Sequence, residues 1–272
     1  MRNGVGKTTT VEILEGFQQR TGGQVRVLGH DPATAGGAWR DRVGVVPQES
    51  EPEPGLSVRE CLAMYAGFYR APRDVDQTIA LVGLTEKAGA LGTRLSGGQR
   101  RRLDFALALI GDPELIFLDE PTTGFDPSAR RAAWEVVAGL RQLGKTVFLT
   151  THFMDEAEYL ADRIAVLSAG HIVAEGTPRT LGGRDQMTSA ISFTLPAHVP
   201  AGDLPPGLGA LTQAGPGGST VVHSRSPLVH LRMLGDWALG RGLDLPDLDV
   251  HRPTLEEVYL ALTGSATRQD QP

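Results

Sequence analysis

A glycine-rich segment followed by lysine and threonine, Asn3-Gly4-Val5-Gly6-Lys7-Thr8-Thr9-Thr10, is the most constraining feature of the sequence. Its end matches the pattern Gly-x-x-x-x-Gly-Lys-Ser/Thr of a phosphate-binding loop, with Met1 where the pattern has its first glycine. Such a loop joins a buried strand to a helix, and the positive end of that helix attracts anions. The segment predicts an α/β fold around a phosphate site. The plainer alternative is a glycine-rich turn before a helix.

Short apolar segments alternate with helical periodicity through the middle of the chain. Residues 43–46, 115–118 and 147–150 are apolar and lie between turn signals, and residues 24–28 and 164–167 have a similar character. This alternation predicts a parallel sheet with helices packed on its faces. Working side chains of such folds lie beyond the carboxyl ends of the strands. Those positions hold Gln48, Asp119-Glu120 and Thr151-His152.

A mostly helical region extends over residues 56–113. Ser57 and Glu60 have the spacing of a capping box, in which each side chain bonds the backbone of the other. Leu95-Ser96-Gly97-Gly98-Gln99 then precedes a helix over residues 100–110. We interpret the arginines at 100–102 as a solvated helix face rather than a nucleic-acid patch.

Each candidate chemical group has a plainer reading when taken alone. A carboxylate pair such as Asp119 and Glu120 at a strand end can hold Mg²⁺ and polarise an attacking water, or it can be a solvated turn. A lone His152 is more often structural than catalytic, and Gln48 can be an ordinary surface residue. A phosphate loop in the same chain favours the functional reading of the carboxylates.

Composition and charge exclude several classes of protein. The chain of 272 residues is 40% hydrophobic and 21% charged, which is typical of globular proteins. A net charge of −6 and a pI near 5.7 argue against a general nucleic-acid binder. The single cysteine, Cys61, excludes an internal disulfide. Apolar stretches such as 105–110 are far shorter than the roughly 20 residues that a membrane span needs.

The order of the motifs resembles that of the ATP-binding cassette (ABC) ATPases, the nucleotide-binding subunits of ABC transporters. The matching segments are GKTT (6–9), VVPQ (45–48), LSGGQRRR (95–102), LIFLDEPTTGFDP (115–127) and TTH (150–152). LSGGQ is the highly specific signature of that family, and the resemblance covers about residues 1–180. It implies a P-loop NTPase fold with a parallel sheet core and a helical signature subdomain.

The resemblance also implies a role for each matching residue. Glu120 corresponds to the catalytic base, His152 to the switch histidine and Gln48 to the glutamine that senses Mg²⁺ and the attacking water. The implied Mg²⁺ ligands are Thr8, Gln48 and Asp119. In the phosphate loop, the residues implied to contact ATP are Asn3, Gly4, Gly6, Lys7, Thr8 and Thr9. Across a dimer, the residues implied to contact the same ATP from the other copy are Ser96, Gly97, Gly98, Gln99 and Asp126.

The partners are implied by the same resemblance. Two copies are expected to close head to tail around ATP and Mg²⁺, on the cytoplasmic face of the cell membrane, bound to separate integral membrane permeases. Residues 249–264 resemble the ending of daunorubicin-exporter-type ATPases, which implies export of a small amphiphilic compound or drug. We expect a nucleotide-binding domain at 1–185, a small α+β accessory domain without its own ligand at 186–264, and a disordered tail at 265–272.

The start of the chain departs from the family pattern. Family members carry an adenine-stacking aromatic residue, antiparallel strands and a central strand before the phosphate loop, and we expect these N-terminal strands to be lacking here. We therefore expect the sequence to be a truncated or mis-started reading of a longer ATPase. The alternatives to an active transport ATPase are a catalytically impaired remnant and a cassette ATPase of translation or DNA repair.

Overall fold

The computed structural model describes residues 6–48 and 50–269. The chain divides into two compact units. The first takes in the residues up to Ala161 together with Ala169–His171, and the second takes in Asp162–Ser168 and the residues from Ile172 onward. The boundaries expected from the sequence after residues 185 and 264 stay predictions.

The first unit is an α/β fold built on a three-stranded parallel sheet. The sheet has the order β1-β2-β3, and Leu118 of β2 pairs with Val46 of β1 and with Leu149 of β3. The expected parallel sheet core is thus confirmed. The elements of this unit are α1 (Lys7–Glu15), α2 (Gly37–Arg40), β1 (Val43–Val46), α3 (Val58–Ala66), α4 (Val75–Leu81), α5 (Gly97–Leu109), β2 (Leu115–Asp119), α6 (Pro127–Gln142), β3 (Thr146–Thr150) and α7 (Met154–Leu160).

The central strand β2 is buried on both faces, as its uninterrupted apolar sequence predicts. Leu115 and Phe117 pack into a cluster with residues of α1, α2 and β1. Ile116 and Leu118 point to the opposite face and pack into the larger core made mainly by α3 to α6. Successive residues of a strand face opposite sides, so one strand supports both layers.

Local capping signals set the starts of three helices. Ser57 and Glu60 form the predicted capping box of α3. Ser96 and Gln99 form a second capping box at the start of α5. Asp126 caps α6 by accepting hydrogen bonds from the backbone N–H groups of Ser128 and Ala129 at 2.8 and 2.9 Å. These caps satisfy N–H groups that the first helical turn leaves unpaired.

The strand predicted at residues 24–28 is wrong. Val27 makes only an isolated bridge with His30, and Leu28 turns the chain with φ of 49°. The carbonyl oxygen of Val27 also accepts a hydrogen bond from Trp39 Nε1 at 3.0 Å. The apolar alternation predicted the burial of Val27 correctly. The backbone groups of Val27, however, hydrogen-bond to His30 in a local turn and to the Trp39 side chain, not to a neighbouring strand.

The strand predicted at residues 164–167 forms, but it lies outside the parallel sheet. It is β4 (Ile164–Ser168), which pairs with β5 (His171–Gly176) in a separate two-stranded sheet. The connection is Ala169-Gly170, and both residues have positive φ, at 48° and 80°. Two residues with positive φ are typical of a tight hairpin turn, which brings β5 beside β4.

The second unit also contains a four-stranded antiparallel sheet with the order β7-β8-β6-β9. Its core includes Ile191, Phe193, Val222 and Leu234. The elements are β6 (Ser189–Phe193), β7 (Thr212–Ala214), β8 (Thr220–Ser224), α8 (Pro227–Gly240), β9 (Asp249–His251) and α9 (Leu255–Gln269). The disordered tail expected at residues 265–272 stays a prediction.

No helix in the described part of the chain combines the length and apolar character that crossing a membrane requires.

Candidate active site

Polar side chains meet where β2 and β3 end. Asp119, the last residue of β2, pairs in register with Thr150, the last residue of β3. The Thr150 hydroxyl donates a hydrogen bond to Asp119 Oδ1. This bond fixes the orientation of the carboxylate and leaves Oδ2 for other partners.

Glu120 leaves the end of β2 in an uncommon backbone conformation. Its φ is +44°, a region that residues with a side chain seldom occupy. Its N–H donates to the carbonyl oxygen and to the hydroxyl of Thr150, both at 3.1 Å. The neighbouring strand therefore holds this backbone turn in place, and such conformations recur at functional sites.

Lys7 approaches Glu120 from the start of α1. Gly6 precedes the helix with φ of 93°, a conformation that favours glycine. The Lys7 Nζ lies 2.9 Å from Glu120 Oε1, and the lysine and glutamate side chains are 30% and 18% exposed. Lys7 and Glu120 therefore form an ion pair.

His152 and Thr123 contact the other oxygen of Glu120. His152 Nδ1 lies 3.2 Å from Oε2, and the Thr123 hydroxyl donates to the same oxygen at 3.2 Å. Burial of Glu120 favours the neutral carboxyl and raises its pKa. The hydrogen bonds and charges of Lys7 and His152 favour the carboxylate and outweigh burial, so the pKa of Glu120 lies below its usual value. Glu120 is therefore a carboxylate at neutral pH, as a proton acceptor must be.

The other residues predicted for phosphate and Mg²⁺ fall at the start of α1 and just after β1, or outside the described part of the chain. Thr8 and Thr9 are exposed in the first turn of α1, and Gln48 is exposed just beyond β1. Asn3 and Gly4 lie outside the described residues. Thr8, Gln48 and Asp119 supply a hydroxyl, an amide and a carboxylate, which are the oxygen ligands that Mg²⁺ prefers. Within residues 6–48 and 50–269, no cluster of three or more histidine, cysteine or acidic side chains forms a metal site.

The predicted signature residues lie at the start of α5. Ser96 Oγ accepts from the Gln99 N–H at 3.3 Å, and Gln99 Oε1 accepts from the Ser96 N–H at 3.0 Å. The Gln99 side chain is thus engaged in capping. A cavity of about 310 Å³ separates the first turns of α5 and α6, and Ser96, Gly98, Gln99 and Asp126 are among its lining residues.

The structure brings only part of the predicted site together. Lys7, Asp119, Glu120 and His152 lie around the ends of β2 and β3. Among the described residues, no hydrogen bond or ion pair joins the Ser96–Gly98 turn to that group. Within one chain, the Ser96–Gly98 turn is therefore separate from the group around Glu120.

Two residues were missed by sequence reasoning. Thr150 orients Asp119 and bonds the Glu120 backbone, and its place at the end of a strand beside β2 was the available signal. Arg101 is 7% exposed, so the interpretation of 100–102 as a solvated face is wrong at this position. Its spacing of four residues from the buried Phe105 placed it on the inner face of α5.

Comparison with known proteins gives the family. Residues 2–123 match the model described as ABC transporter, and residues 189–254 match the model of an ABC transporter domain-containing protein-like C-terminal domain. The Nod factor export ATP-binding protein I of Burkholderia pseudomallei is 38% identical over 96% of this chain and 86% of its own. The chain belongs to the ATP-binding subunits of the ABC transporter family, so it binds ATP and its class of activity is ATP hydrolysis coupled to transport.

Other relatives and solved structures agree with this assignment. The daunorubicin resistance ATP-binding protein DrrA3 of Streptomyces coeruleorubidus is 36% identical over 98% of this chain and 86% of its own. A dimeric ATP-binding cassette in a post-hydrolysis state, bound to ADP and Pi, is 25% identical with a TM-score of 0.56, covering 64% of this chain and 81% of the other. An ATP-binding subunit of an ABC transporter shares the fold with a TM-score of 0.57 at 24% identity, covering 65% and 76%.

Proposed function

We propose that the chain is the ATP-hydrolysing subunit of an export system and that two copies close head to tail around Mg²⁺-ATP. The relatives that span nearly its whole length are named for Nod factor export and for daunorubicin resistance. Their names support a small amphiphilic compound as the exported substrate. Separate integral membrane permeases would carry that compound, with this chain bound to their cytoplasmic face.

The observation that carries the proposal is the contact of Lys7 and His152 with the two oxygens of Glu120. Glu120 would accept a proton from the water that attacks the terminal phosphate of ATP. His152 would hold the carboxylate in place and stabilise its charge. Lys7 would bind the outer phosphates, with Gly6, Thr8 and Thr9 in the same turn, and the predicted contacts of Asn3 and Gly4 would complete the loop.

Mg²⁺ would arrive with the nucleotide and neutralise phosphate charge. Thr8, Gln48 and Asp119 are the residues of this chain that would hold it, and the Thr150 hydroxyl fixes the Asp119 carboxylate for that purpose. The ion supplies charge stabilisation, and the chain supplies the positioning of the water and the base.

The separate signature turn supports a second copy in the site. The backbone N–H groups at the start of α5 and the hydroxyl of Ser96 form an anion-binding helix end. In a head-to-tail dimer, Ser96, Gly97, Gly98 and the neighbouring Gln99 and Asp126 of one copy would complete the phosphate site of the other. Hydrolysis would then require closure, which couples it to movement of the permease.

Hydrolysis by the chain with Glu120→Gln, compared with the unsubstituted chain, tests this proposal. The substitution keeps the shape of the side chain but removes its proton-accepting charge, so we expect the ATPase rate to fall by about a hundredfold or more while ATP still binds. Glu86→Gln, at an exposed position in the helical region, is the matched control and should retain the rate.

Two results would decide against the proposal. An unsubstituted chain that binds ATP but releases no phosphate, with or without its membrane partners, would support the impaired remnant. A Glu120→Gln variant as active as Glu86→Gln would remove Glu120 as the base. Purification from membranes together with an integral membrane protein is the expected result for an exporter subunit, whereas association with ribosomes or DNA would favour the translation or repair class.

A further inference from the structure

Arg101 is a buried cation surrounded by backbone carbonyl groups. Its side chain is 8% exposed. The guanidinium donates to the carbonyl oxygens of Pro47, of Pro121 at 3.0 Å and of Asp119 at 3.4 Å. A long charged side chain is seldom enclosed in this way unless its hydrogen-bonding groups are used, and here they are distributed over several chain segments.

The carbonyl groups that bind Arg101 come from the ends of two adjacent strands. β1 and β2 are paired up to Val46 and Leu118, and beyond that pair the chains continue as Pro47-Gln48 and Asp119-Glu120. Arg101 thus bridges the two strands where the sheet's own hydrogen bonds have ended. One guanidinium fixes the backbone before Gln48 and on both sides of Glu120.

Asp104 makes a second connection from α5 to the same loop. Its side chain is 12% exposed, and Oδ2 lies 3.6 Å from Arg101 Nη1. Its Oδ1 accepts a hydrogen bond from the hydroxyl of Ser50, which lies in the loop after β1. Arg101 and Asp104 therefore hold this loop on both sides of Gln48, one through the backbone and the other through a side chain.

Both residues belong to the helix that begins at the signature turn. Ser96 caps α5, and Arg101 lies little more than one helical turn further along. Because a helix is stiff over this distance, a displacement of the signature turn would move the guanidinium and its carbonyl partners with it. The connection joins the Ser96–Gly98 turn, the Gln48 loop and the Glu120 turn within one unit.

We propose that Arg101, assisted by Asp104, is a positioning residue for ATP hydrolysis that holds Gln48 and Glu120 in register with the signature helix. The inference rests on the proposed function, since it acts through Gln48 and Glu120. Misplacement of these groups would slow the chemical step more than it would weaken ATP binding, because water and base must be aligned closely in the transition state.

A guanidinium is suited to this role and an ammonium group is not. The planar guanidinium directs separate N–H groups at carbonyls on different strands, whereas lysine presents a single compact charge. Arg101→Lys therefore keeps the charge and loses the bridge. Arg100→Lys, one residue earlier and exposed, makes the same chemical change outside the carbonyl cluster.

Steady-state hydrolysis of Mg²⁺-ATP by the full chain tests the proposal. For Arg101→Lys we expect kcat to fall about tenfold and the KM for ATP to change less than about twofold, with a raised Mg²⁺ requirement. Arg100→Lys should match the unsubstituted chain. Ser50→Ala removes one exposed hydroxyl without disturbing the core, and we expect it to lower kcat about threefold at unchanged KM.

The variants also separate positioning from a purely structural role. If Arg101→Lys fails to fold, the Ser50→Ala variant provides the test. A kcat of Ser50→Ala equal to that of the unsubstituted chain then overturns the proposal. A folded Arg101→Lys variant whose kcat equals that of Arg100→Lys also overturns the proposal. The same holds if the kcat of Arg101→Lys falls only in proportion to the fraction of protein that is folded. Loss of activity in Glu120→Gln alongside unchanged Arg101→Lys leaves the proposed function standing, whereas activity retained in Glu120→Gln removes both.

Discussion

The Nζ of Lys7 lies 2.9 Å from Oε1 of Glu120, so the cation proposed for the phosphates neutralises the proposed base. An ATP phosphate carries more negative charge than a carboxylate and would compete for the lysine. Binding of ATP would then release Glu120 to act on water. The ion pair would thus link occupation of the proposed phosphate loop to the availability of the proposed base.

Lys7→Met should weaken ATP binding strongly. Each charge-assisted hydrogen bond to a phosphate contributes about 1.5 to 3 kcal/mol, so we expect the Kd for ATP to rise about a hundredfold. Titration calorimetry with Mg²⁺-ATP measures the loss. Lys87→Met, at an exposed position of the helical region, is the control. A Kd for Lys7→Met within about twofold of that of the control would contradict the assignment of Lys7.

Glu15 gives the clearest expected pH dependence of stability. Burial first, and then the charges of Asp119 and Glu12, raise the pKa of Glu15 to about 7 in the folded chain. The unfolded chain releases this proton at a lower pH, so the folded state binds the extra proton between the usual glutamate value of 4.5 and about 7. Stability is therefore lost as the pH rises through this window and stays constant above it.

Glu15→Gln should remove that loss. One pKa unit corresponds to about 1.4 kcal/mol, but solvent reaches this half-buried side chain, so we expect a gain of roughly 1 kcal/mol at pH 8 and little change at pH 4. Urea unfolding at both pH values measures the difference. Glu86→Gln, on an exposed turn, should show no such pH-dependent gain. An equal effect of Glu15→Gln at both pH values would show that its charge is not the cause.

Much of the first unit follows from local sequence patterns. The strands at β1, β2 and β3 are predicted because bare apolar segments lie between turn signals, and the Ser57–Glu60 capping box is predicted because both side chains cap locally. The failures at residues 24–28 and at β4 share a cause. The alternation of apolar and polar residues predicts which side chains are buried. A strand also needs a neighbouring strand to pair with, and which strands pair depends on the tertiary structure.

The sequence predicted which residues belong to the candidate site better than it predicted the contacts between them. Strand-end positions predicted that Asp119, Glu120 and His152 lie at one edge of the sheet, because parallel strands end together. The pairing of Lys7 with Glu120 depends on where α1 packs, which no local pattern encodes. The burial of Arg101 was missed because a run of arginines is usually solvated, and its carbonyl partners are distant in sequence.

Gly44 lies where β1 meets α5, and we expect Gly44→Ala to destabilise the first unit strongly. A Cβ at this position would collide with the carbonyl oxygen of Ala108 and lie 3.1 Å from Pro113 Cγ. The backbone of Ala108 and the rigid ring of Pro113 cannot yield easily, so the expected loss is about 2 to 3 kcal/mol. Denaturant unfolding followed by circular dichroism measures it.

Gly139 provides the opposite case for the same substitution. It lies within α6, and a Cβ there would meet no atom within 4 Å. Gly139→Ala should stabilise the chain by about 0.5 to 1 kcal/mol, because alanine restricts the unfolded chain and favours the helix. If Gly44→Ala proved as well tolerated as Gly139→Ala, the close packing of β1 on α5 would be wrong.

Replacement by valine should affect stability at Thr122 and ATP hydrolysis at the adjacent Thr123. Thr122 is 1% exposed, and its hydroxyl donates to Oε1 of the fully buried Glu156 at 2.9 Å. Thr122→Val keeps the shape but takes one donor from a buried carboxyl group, which should cost about 1 to 3 kcal/mol of stability. Thr123 is exposed and its hydroxyl donates to Oε2 of Glu120.

Thr123→Val should therefore leave the unfolding free energy within about 0.5 kcal/mol of its original value, because its hydroxyl is open to solvent. It should instead change the ATPase rate, since Glu120 loses one of the groups that orient it. Paired measurements of urea unfolding and phosphate release on both variants separate the two effects. A stability loss in Thr123→Val as large as that in Thr122→Val would contradict this prediction, because the exposed Thr123 hydroxyl would then have a structural role that its contacts do not provide.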